Sequence, residues 1–315
     1  MQAWEDGMTD RDGSSQAQVM QPIKAVDAGV LSIAYVELGP ADGPVVILLH
    51  GYPYDIHSYV DVAPRLAAQG CRVIVPYVRG YGATRFLDPS TPRSGQQAAI
   101  GADLIALMDA LGIPRAVFAG YDWGGRGACI GAALWPERCA GLVSVNGYLI
   151  QDIARAMEPA PVPREFAFWY QWYFQTERGR AGLAAHRAEI ARLLWRQWSP
   201  NWRFDDATFA RSAAAFDNPD HVDVVINSYR HRYGLAAGDP RYDALERRLA
   251  EQPAITVPTI TLDGDSDGVI PATDGRAHAA KFSNRIAHRV IPRAGHNLPQ
   301  EEPGAFAAAV MEVLR

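Results

Sequence analysis

From residue 21 onward, apolar runs of strand length alternate with stretches whose apolar positions recur at helical spacing. This is the pattern of a mostly parallel sheet joined by crossover helices, an α/β fold. Residues 23–27 and 31–37 flank Ala28-Gly29 and predict an opening hairpin. The unbroken apolar run Val45–Leu49 predicts a strand buried on both faces, followed by a crossover helix over 59–68. Further strands are expected at 72–76, 116–119, 141–145, 256–262 and 287–291, and helices over 95–111, 123–134, 272–281 and 302–314.

The alternation stops after the strand at 141–145 and resumes only near residue 256. Between them the chain carries Trp169, Trp172, Trp195, Trp198 and Trp202 in helical patterns, introduced by the proline-rich stretch 158–163. Residues 147–251 are therefore expected to form a helical cap inserted into a sheet domain made of 21–146 and 252–315, with a cleft between the two lobes. Residues 1–20 are rich in Asp, Gln, Ser and Gly, without the basic and apolar regions of a signal peptide, and read as a floppy leader.

Composition narrows the class of function. With 48% hydrophobic and 21% charged residues, the chain has material for a sizeable core. Its 30 basic and 35 acidic side chains are scattered, giving a net charge of −5 and no basic patch for nucleic acid or an anionic membrane. No apolar run approaches the roughly 20 residues that span a bilayer. The expected partners are a small-molecule substrate and water, and a homodimer is compatible with the sequence. Cys71, Cys129 and Cys139 are odd in number and lack metal-ligand spacing, so free buried thiols in a reducing cytoplasm are expected.

The chemistry is concentrated at three strand ends. Gly120-Tyr121-Asp122-Trp123-Gly124-Gly125 lies between a strand and a helix, where glycines permit a strained turn and the helix N-terminus favours an ionised carboxylate. Alone, Asp122 also reads as a simple helix cap. His50-Gly51-Tyr52-Pro53 follows the strand Val45–Leu49 directly, and Ala294-Gly295-His296-Asn297 follows the last strand. After the strand at 256–262, Asp263, Asp265 and Asp267 offer three carboxylates in one loop.

Together these segments resemble the α/β-hydrolase superfamily over roughly residues 21–315, within the branch of epoxide hydrolases and haloalkane and fluoroacetate dehalogenases, where Asp replaces the serine nucleophile. The resemblance implies a mostly parallel eight-stranded sheet with helices on both faces and an inserted helical cap. It makes Asp122 the nucleophile, His296 the base and Asp267 its acid, with Asp265 as the rival. Some relatives carry the acid after the strand at 141–145, but here Val145-Asn146-Gly147 offers no carboxylate. A cis Tyr52-Pro53 bond is also implied, as is an oxyanion hole built from the backbone N–H groups of Tyr52 and Trp123. His50 and Pro53 belong to the substrate-facing loop. No metal or organic cofactor is called for.

The electrophile is decided by what handles the leaving group. An epoxide oxygen needs a proton, whereas a halide needs only N–H donors. The aromatic segment 168–175 and Ser228-Tyr229-Arg230 resemble the two epoxide hydrolase segments that carry acid tyrosines. Tyr170 and Tyr229 are the expected acids, with Tyr173 rivalling Tyr170. Haloalkane dehalogenases commonly carry Asn where Tyr52 stands, while Trp123 suits either chemistry. Arg126, Trp172 and Tyr229 match fluoroacetate dehalogenase positions, but Trp123 and Gln171 depart from that pattern. Arg126 and Trp172 are accordingly expected at the substrate, although an arginine on the elbow helix serves equally well as a structural partner. Epoxide hydrolysis is the favoured reading, with dehalogenation second and a non-catalytic receptor on a hydrolase fold as the alternative of another class.

Overall fold

The computed structural model describes residues 20–315, so the leader expected over 1–20 lies, apart from Met20, outside the described residues. The opening hairpin pairs β1 (Lys24–Ala28) with β2 (Leu31–Leu38), register Val26 to Ile33. β3 (Val45–Leu49) then enters the sheet centre, parallel to both β4 (Arg72–Pro76) and β6 (Ala116–Gly120). A two-residue strand, β5 (Arg85–Phe86), only edges β2. β7 (Cys139–Val145), β8 (Thr259–Gly264) and β9 (Arg285–Ile291) complete the order β1-β2-β4-β3-β6-β7-β8-β9. Eight strands thus form the main path, and all pairs from β4 to β9 are parallel, matching the expected architecture.

Helices cover both faces. α1 (Val62–Ala67) and the C-terminal α11 (Pro303–Val313) bury Val62, Leu66, Phe306 and Val310 against one face. On the other face α2 (Gln97–Ala110) and α3 (Asp122–Leu134) pack Leu104, Met108 and Ile130. Gly101 lets them approach, since a Cβ there would meet the Ile130 Cγ2 at 2.2 Å. Cys71, Cys129 and Cys139 are buried and unbridged. No helix among the described residues is long and apolar enough to cross a membrane.

Between β7 and β8 the chain is helical: α4 (Val162–Ala167), α5 (Trp169–Tyr173), α6 (Glu177–Trp198), α7 (Asp206–Ala213), α8 (His221–Arg232) and α9 (Asp243–Ala250). Trp195, Trp198, Phe216 and Tyr229 of this insert join the same apolar cluster as Tyr52 and Trp123. The insert is therefore packed onto the end of the sheet where β3 and β6 finish, and polar groups from both parts are buried there together.

One expected helix does not form. Residues 272–281 hold only the one-turn helix Ala279–Lys281. Local turn bonds take the backbone instead: Thr273 donates its N–H to Asp263, Gly275 N–H donates to Thr273 Oγ1, and Arg276 N–H donates to Asp274 Oδ1. Gly275 adopts a φ of +69°, which ends any helical path. The closing helix expected over 302–314 forms as α11, preceded by the short α10 (Leu298–Glu301).

Candidate active site

β6 ends at Gly120 and α3 begins at Asp122, leaving Tyr121 alone to turn the chain. Asp122 has a φ of +49°, in the left-handed region that non-glycine residues seldom occupy. Such a turn projects the carboxylate away from the sheet, and it requires close backbone passage on either side. A Cβ on Gly124 would sit 2.0 Å from the Leu49 carbonyl oxygen, and one on Gly51 would sit 2.5 Å from the Asp122 Cβ. The glycines are thus demanded by the contact between the β3 loop and the elbow.

The two Asp122 oxygens have different surroundings. Oδ1 accepts the Tyr52 backbone N–H at 2.7 Å, while Oδ2 lies 3.7 Å from His296 Nε2. Burial works to raise the carboxyl pKa. The facing His296, then the Arg126 charge and the Tyr52 N–H, outweigh it and hold the group below the usual carboxylate range.

His296 Nδ1–H donates to Asp267 Oδ2 at 2.8 Å, fixing the ring with Nε2 toward Asp122. Burial lowers its pKa, but the Asp267 and Asp122 carboxylates override that and carry it up to about 10. Asp267 is itself held: Oδ1 accepts the N–H groups of Val269 and Ile270, both at 2.9 Å, and Oδ2 also receives Asn146 Nδ2 at 3.3 Å. The rivals are occupied elsewhere. Asp265 accepts Ser266 and the Arg293 N–H in an exposed turn, and Asp263 binds Thr273. Asn146, at the end of β7 where some relatives carry the acid, here serves Asp267 by hydrogen bonding.

The loop before the site carries the cis Tyr52-Pro53 bond. His50 is consumed by the loop itself, donating Nδ1–H to the Gly51 carbonyl and accepting the Val78 N–H at Nε2. Burial brings its pKa down to about 4, so it stays neutral. Pro53 contributes its carbonyl, which accepts Trp195 Nε1–H at 2.8 Å. Helix α6 reaches further: the Trp198 carbonyl accepts N–H groups from both Gly268 and His296.

Tyr170 and Tyr229 meet over the Tyr52 ring. Their rings are edge to face at 5.3 Å, and Tyr52 stacks on Tyr170 at 6.0 Å and on Trp123 at 5.7 Å. Both phenols are raised by burial, so both remain protonated. Tyr229 Oη is buried without a hydrogen-bond partner, as is Trp123 Nε1, whereas Tyr170 Oη accepts from Gln171 Nε2 at 3.0 Å. Tyr173 points elsewhere; a Cβ on Gly182 of α6 would meet its hydroxyl at 1.9 Å.

Trp172 is not brought to the site, which corrects its expected role at the substrate. It is 37% exposed, donates Nε1–H to Glu165 and packs on Tyr233. Tyr170 in α5 and Phe174 at its C-cap face inward, while Trp172, midway between them, faces out. Arg126 does lie within the site, one turn beyond Asp122 on α3 and 6% exposed.

Several residues at the site escaped sequence reading. Glu301 accepts the N–H groups of Gly295 and Asn297 and the Ser199 hydroxyl, while Ser199 Oγ accepts the His296 N–H at 3.1 Å. This network holds the His296 loop, and its only sequence signal is an acid placed five residues after the histidine. Arg232, whose guanidinium carbon lies 4.7 Å above the Tyr229 ring centre, carries no motif at all.

Residues 44–303 match the family described as alpha/beta hydrolase fold. The chain belongs to that family. Among α/β-hydrolase relatives it is similar to epoxide hydrolase A of Mycobacterium tuberculosis, at 28% identity over 92% of this chain and 96% of the other. It is also similar to bifunctional epoxide hydrolase 2 of Sus scrofa, at 28% identity over 73% of this chain and 39% of that longer protein. A crystal structure from Klebsiella pneumoniae, of a protein provisionally described as an epoxide hydrolase, matches with a TM-score of 0.93 and 52% identity. That match covers 95% of this chain and 99% of that one.

Proposed function

We propose that this hydrolase opens an epoxide through a covalent ester on Asp122 and releases a vicinal diol. The observation that carries the reading is the pair of protonated tyrosines, Tyr170 and Tyr229, buried with the ionised Asp122 around the Tyr52 ring. Epoxide hydrolases are also prominent among its relatives. In the first step Asp122 Oδ2 attacks an epoxide carbon, the C–O bond breaks, and the oxygen takes a proton from a tyrosine. A hydroxyalkyl ester and a tyrosinate result.

Esterification removes the negative charge facing His296. The histidine then loses its reason to hold an extra proton, which passes to the tyrosinate and leaves Nε2 free as a base. His296 next takes a proton from water, the hydroxide adds to Asp122 Cγ, and the N–H groups of Tyr52 and Trp123 hold the oxyanion that forms at Oδ1. Collapse expels the diol oxygen, which is protonated by His296. The carboxylic acid left on Asp122 returns its proton to His296 and restores the resting ion pair.

Dehalogenation is the second reading, favoured by the unpartnered Trp123 Nε1–H, a donor suited to a departing halide. It is weakened by the outward position of Trp172, the other matching indole. A turnover panel of epoxides, haloalkanes and haloacetates, scored for diol or halide, separates the two. Single turnover in ¹⁸O-labelled water is expected to leave the label in Asp122; an unlabelled carboxylate would rule out the ester route.

A further inference from the structure

Asp267 orients the His296 ring, but a ring is placed only when its main chain is placed too. That main chain is held by Glu301, at the end of α10, and by Ser199, the residue that ends α6 of the insert. Glu301 Oε2 accepts the Gly295 N–H at 2.7 Å, while Oε1 accepts the Asn297 N–H at 3.1 Å and the Ser199 hydroxyl at 2.6 Å. Ser199 Oγ accepts the His296 N–H at 3.1 Å, a hydrogen that the Trp198 carbonyl shares. The consecutive N–H groups of residues 295, 296 and 297 are thus bound to one carboxylate, directly or through one hydroxyl.

Ser199 and Asn297 are fully buried, so water does not stand in for these bonds. The end of the insert lies hard against the loop, since a Cβ on Gly295 would meet the Ser199 Cα at 2.5 Å. Three donors on two oxygens suit a carboxylate, because a carboxylic acid would turn its own proton toward one of them. Burial raises the Glu301 pKa, against the pull of the Ser199 hydroxyl, the Gly295 N–H and the His296 charge, and Asp267 adds to the rise. The ionisable groups facing Glu301 are therefore His296, Asp267 and Tyr54; those facing His296 are Asp267, Asp122, Tyr54 and Tyr121.

The two halves of the reaction call on this arrangement unequally. Attack by Asp122 uses the tyrosines, and His296 enters it only as a charge 3.7 Å away. Ester hydrolysis needs Nε2 aimed at a water within hydrogen-bond reach, where a misplacement of about 1 Å costs about a hundredfold.

We infer that Glu301 is a positioning residue for the second half alone: through Ser199 and the N–H groups of Gly295 and Asn297 it sets His296 for water activation, with little part in forming the ester. Once Asp122 is esterified, Asp267 and Glu301 are the carboxylates that remain beside His296, so Glu301 also sustains the proton affinity of the base. The inference rests on the ester route through Asp122, and not on which electrophile forms the ester.

Single turnovers of the full-length enzyme with styrene oxide, followed by rapid quenching and intact-protein mass spectrometry, measure ester formation and ester decay separately. Glu301→Gln is expected to form the ester within about threefold of the wild-type rate and to hydrolyse it about a hundredfold more slowly. The acid limb of its hydrolysis pH profile should move to lower pH, because a negative charge near the base has gone, and Glu301→Asp should recover part of the rate. Equal slowing of both steps overturns the inference, as does unchanged hydrolysis or slowed hydrolysis with an unmoved acid limb, which would leave Glu301 a purely structural prop. Ser199→Ala leaves Glu301 its two N–H donors and should slow hydrolysis alone by about tenfold; it carries the test if Glu301→Gln does not fold. The downfield proton NMR signal of His296 Nδ1–H reads the same placement without turnover. Its exchange with water is expected to quicken by about tenfold or more in either variant, and an unchanged exchange rate overturns the inference. An enzyme that leaves styrene oxide intact but shows the split between steps with 1-bromobutane loses the epoxide reading and keeps the positioning role of Glu301.

Discussion

His296 Nε2 faces Asp122 Oδ2 at 3.7 Å, so the imidazolium and the carboxylate form an ion pair. Each stabilises the charged form of the other. In the proposed reaction, alkylation of Asp122 is therefore the event that releases His296 to act as a base. His296→Gln is expected to react once and stop, lowering turnover by about a thousandfold. Intact-protein mass spectrometry with a turned-over epoxide should find the enzyme heavier by one substrate mass; a mass unchanged during slow turnover would remove His296 from the hydrolytic step.

The same pair sets a pH dependence of stability. The folded His296 pKa, about 10, lies above the free value of 6.5, so the folded state binds the proton more tightly. Its contribution is full below pH 6.5 and is lost as pH rises through about 10. The Tm advantage of wild type over His296→Gln should accordingly shrink between those limits. An advantage that grows with pH would contradict the ion pair.

Tyr170→Phe and Tyr229→Phe are each expected to slow epoxide opening by about ten- to a hundredfold, and the double variant to reduce it to background. Tyr173→Phe, whose hydroxyl is turned toward Gly182, should retain turnover within about twofold. Kinetics on one epoxide across the four proteins decides between the two tyrosine assignments.

Gly124→Ala places a methyl group 2.0 Å from the Leu49 oxygen, a backbone atom that has nowhere to go. Thermal melting should show a loss of about 1–3 kcal/mol or failure to fold. Gly304→Ala, with nothing within 4 Å, is the matched control and should leave Tm within about 1 °C.

What the sequence made legible is what backbone geometry dictates locally. Asp122 alone also reads as a helix cap, and it was readable only together with the His50-Gly51-Tyr52-Pro53 loop and the loop that carries His296 after the last strand. The choice among Asp263, Asp265 and Asp267 was not settled by composition, since all three are acids in one turn-rich loop. The resemblance picked Asp267, and in the structure the bond to His296 Nδ1 and the N–H groups of Val269 and Ile270 set it apart from the other two. Trp172 was misassigned because resemblance named the residue while helical phase decides where it points. Residues 272–281 were read as a helix because turn bonds from Asp263, Thr273 and Asp274 leave no mark in an apolar pattern.

Helix α6 has a consequence for how the two parts of the molecule depend on each other. Trp195 fixes the Pro53 carbonyl, and Trp198 receives the N–H groups of Gly268 and His296. The part of α6 after the kink at His186 thus tethers the loops of Tyr52-Pro53, Asp267 and His296 at once. Excising residues 147–251 would dismantle the machinery instead of exposing it, and a chimera that borrows another relative's insert would inherit its alignment of all three loops along with its choice of substrate.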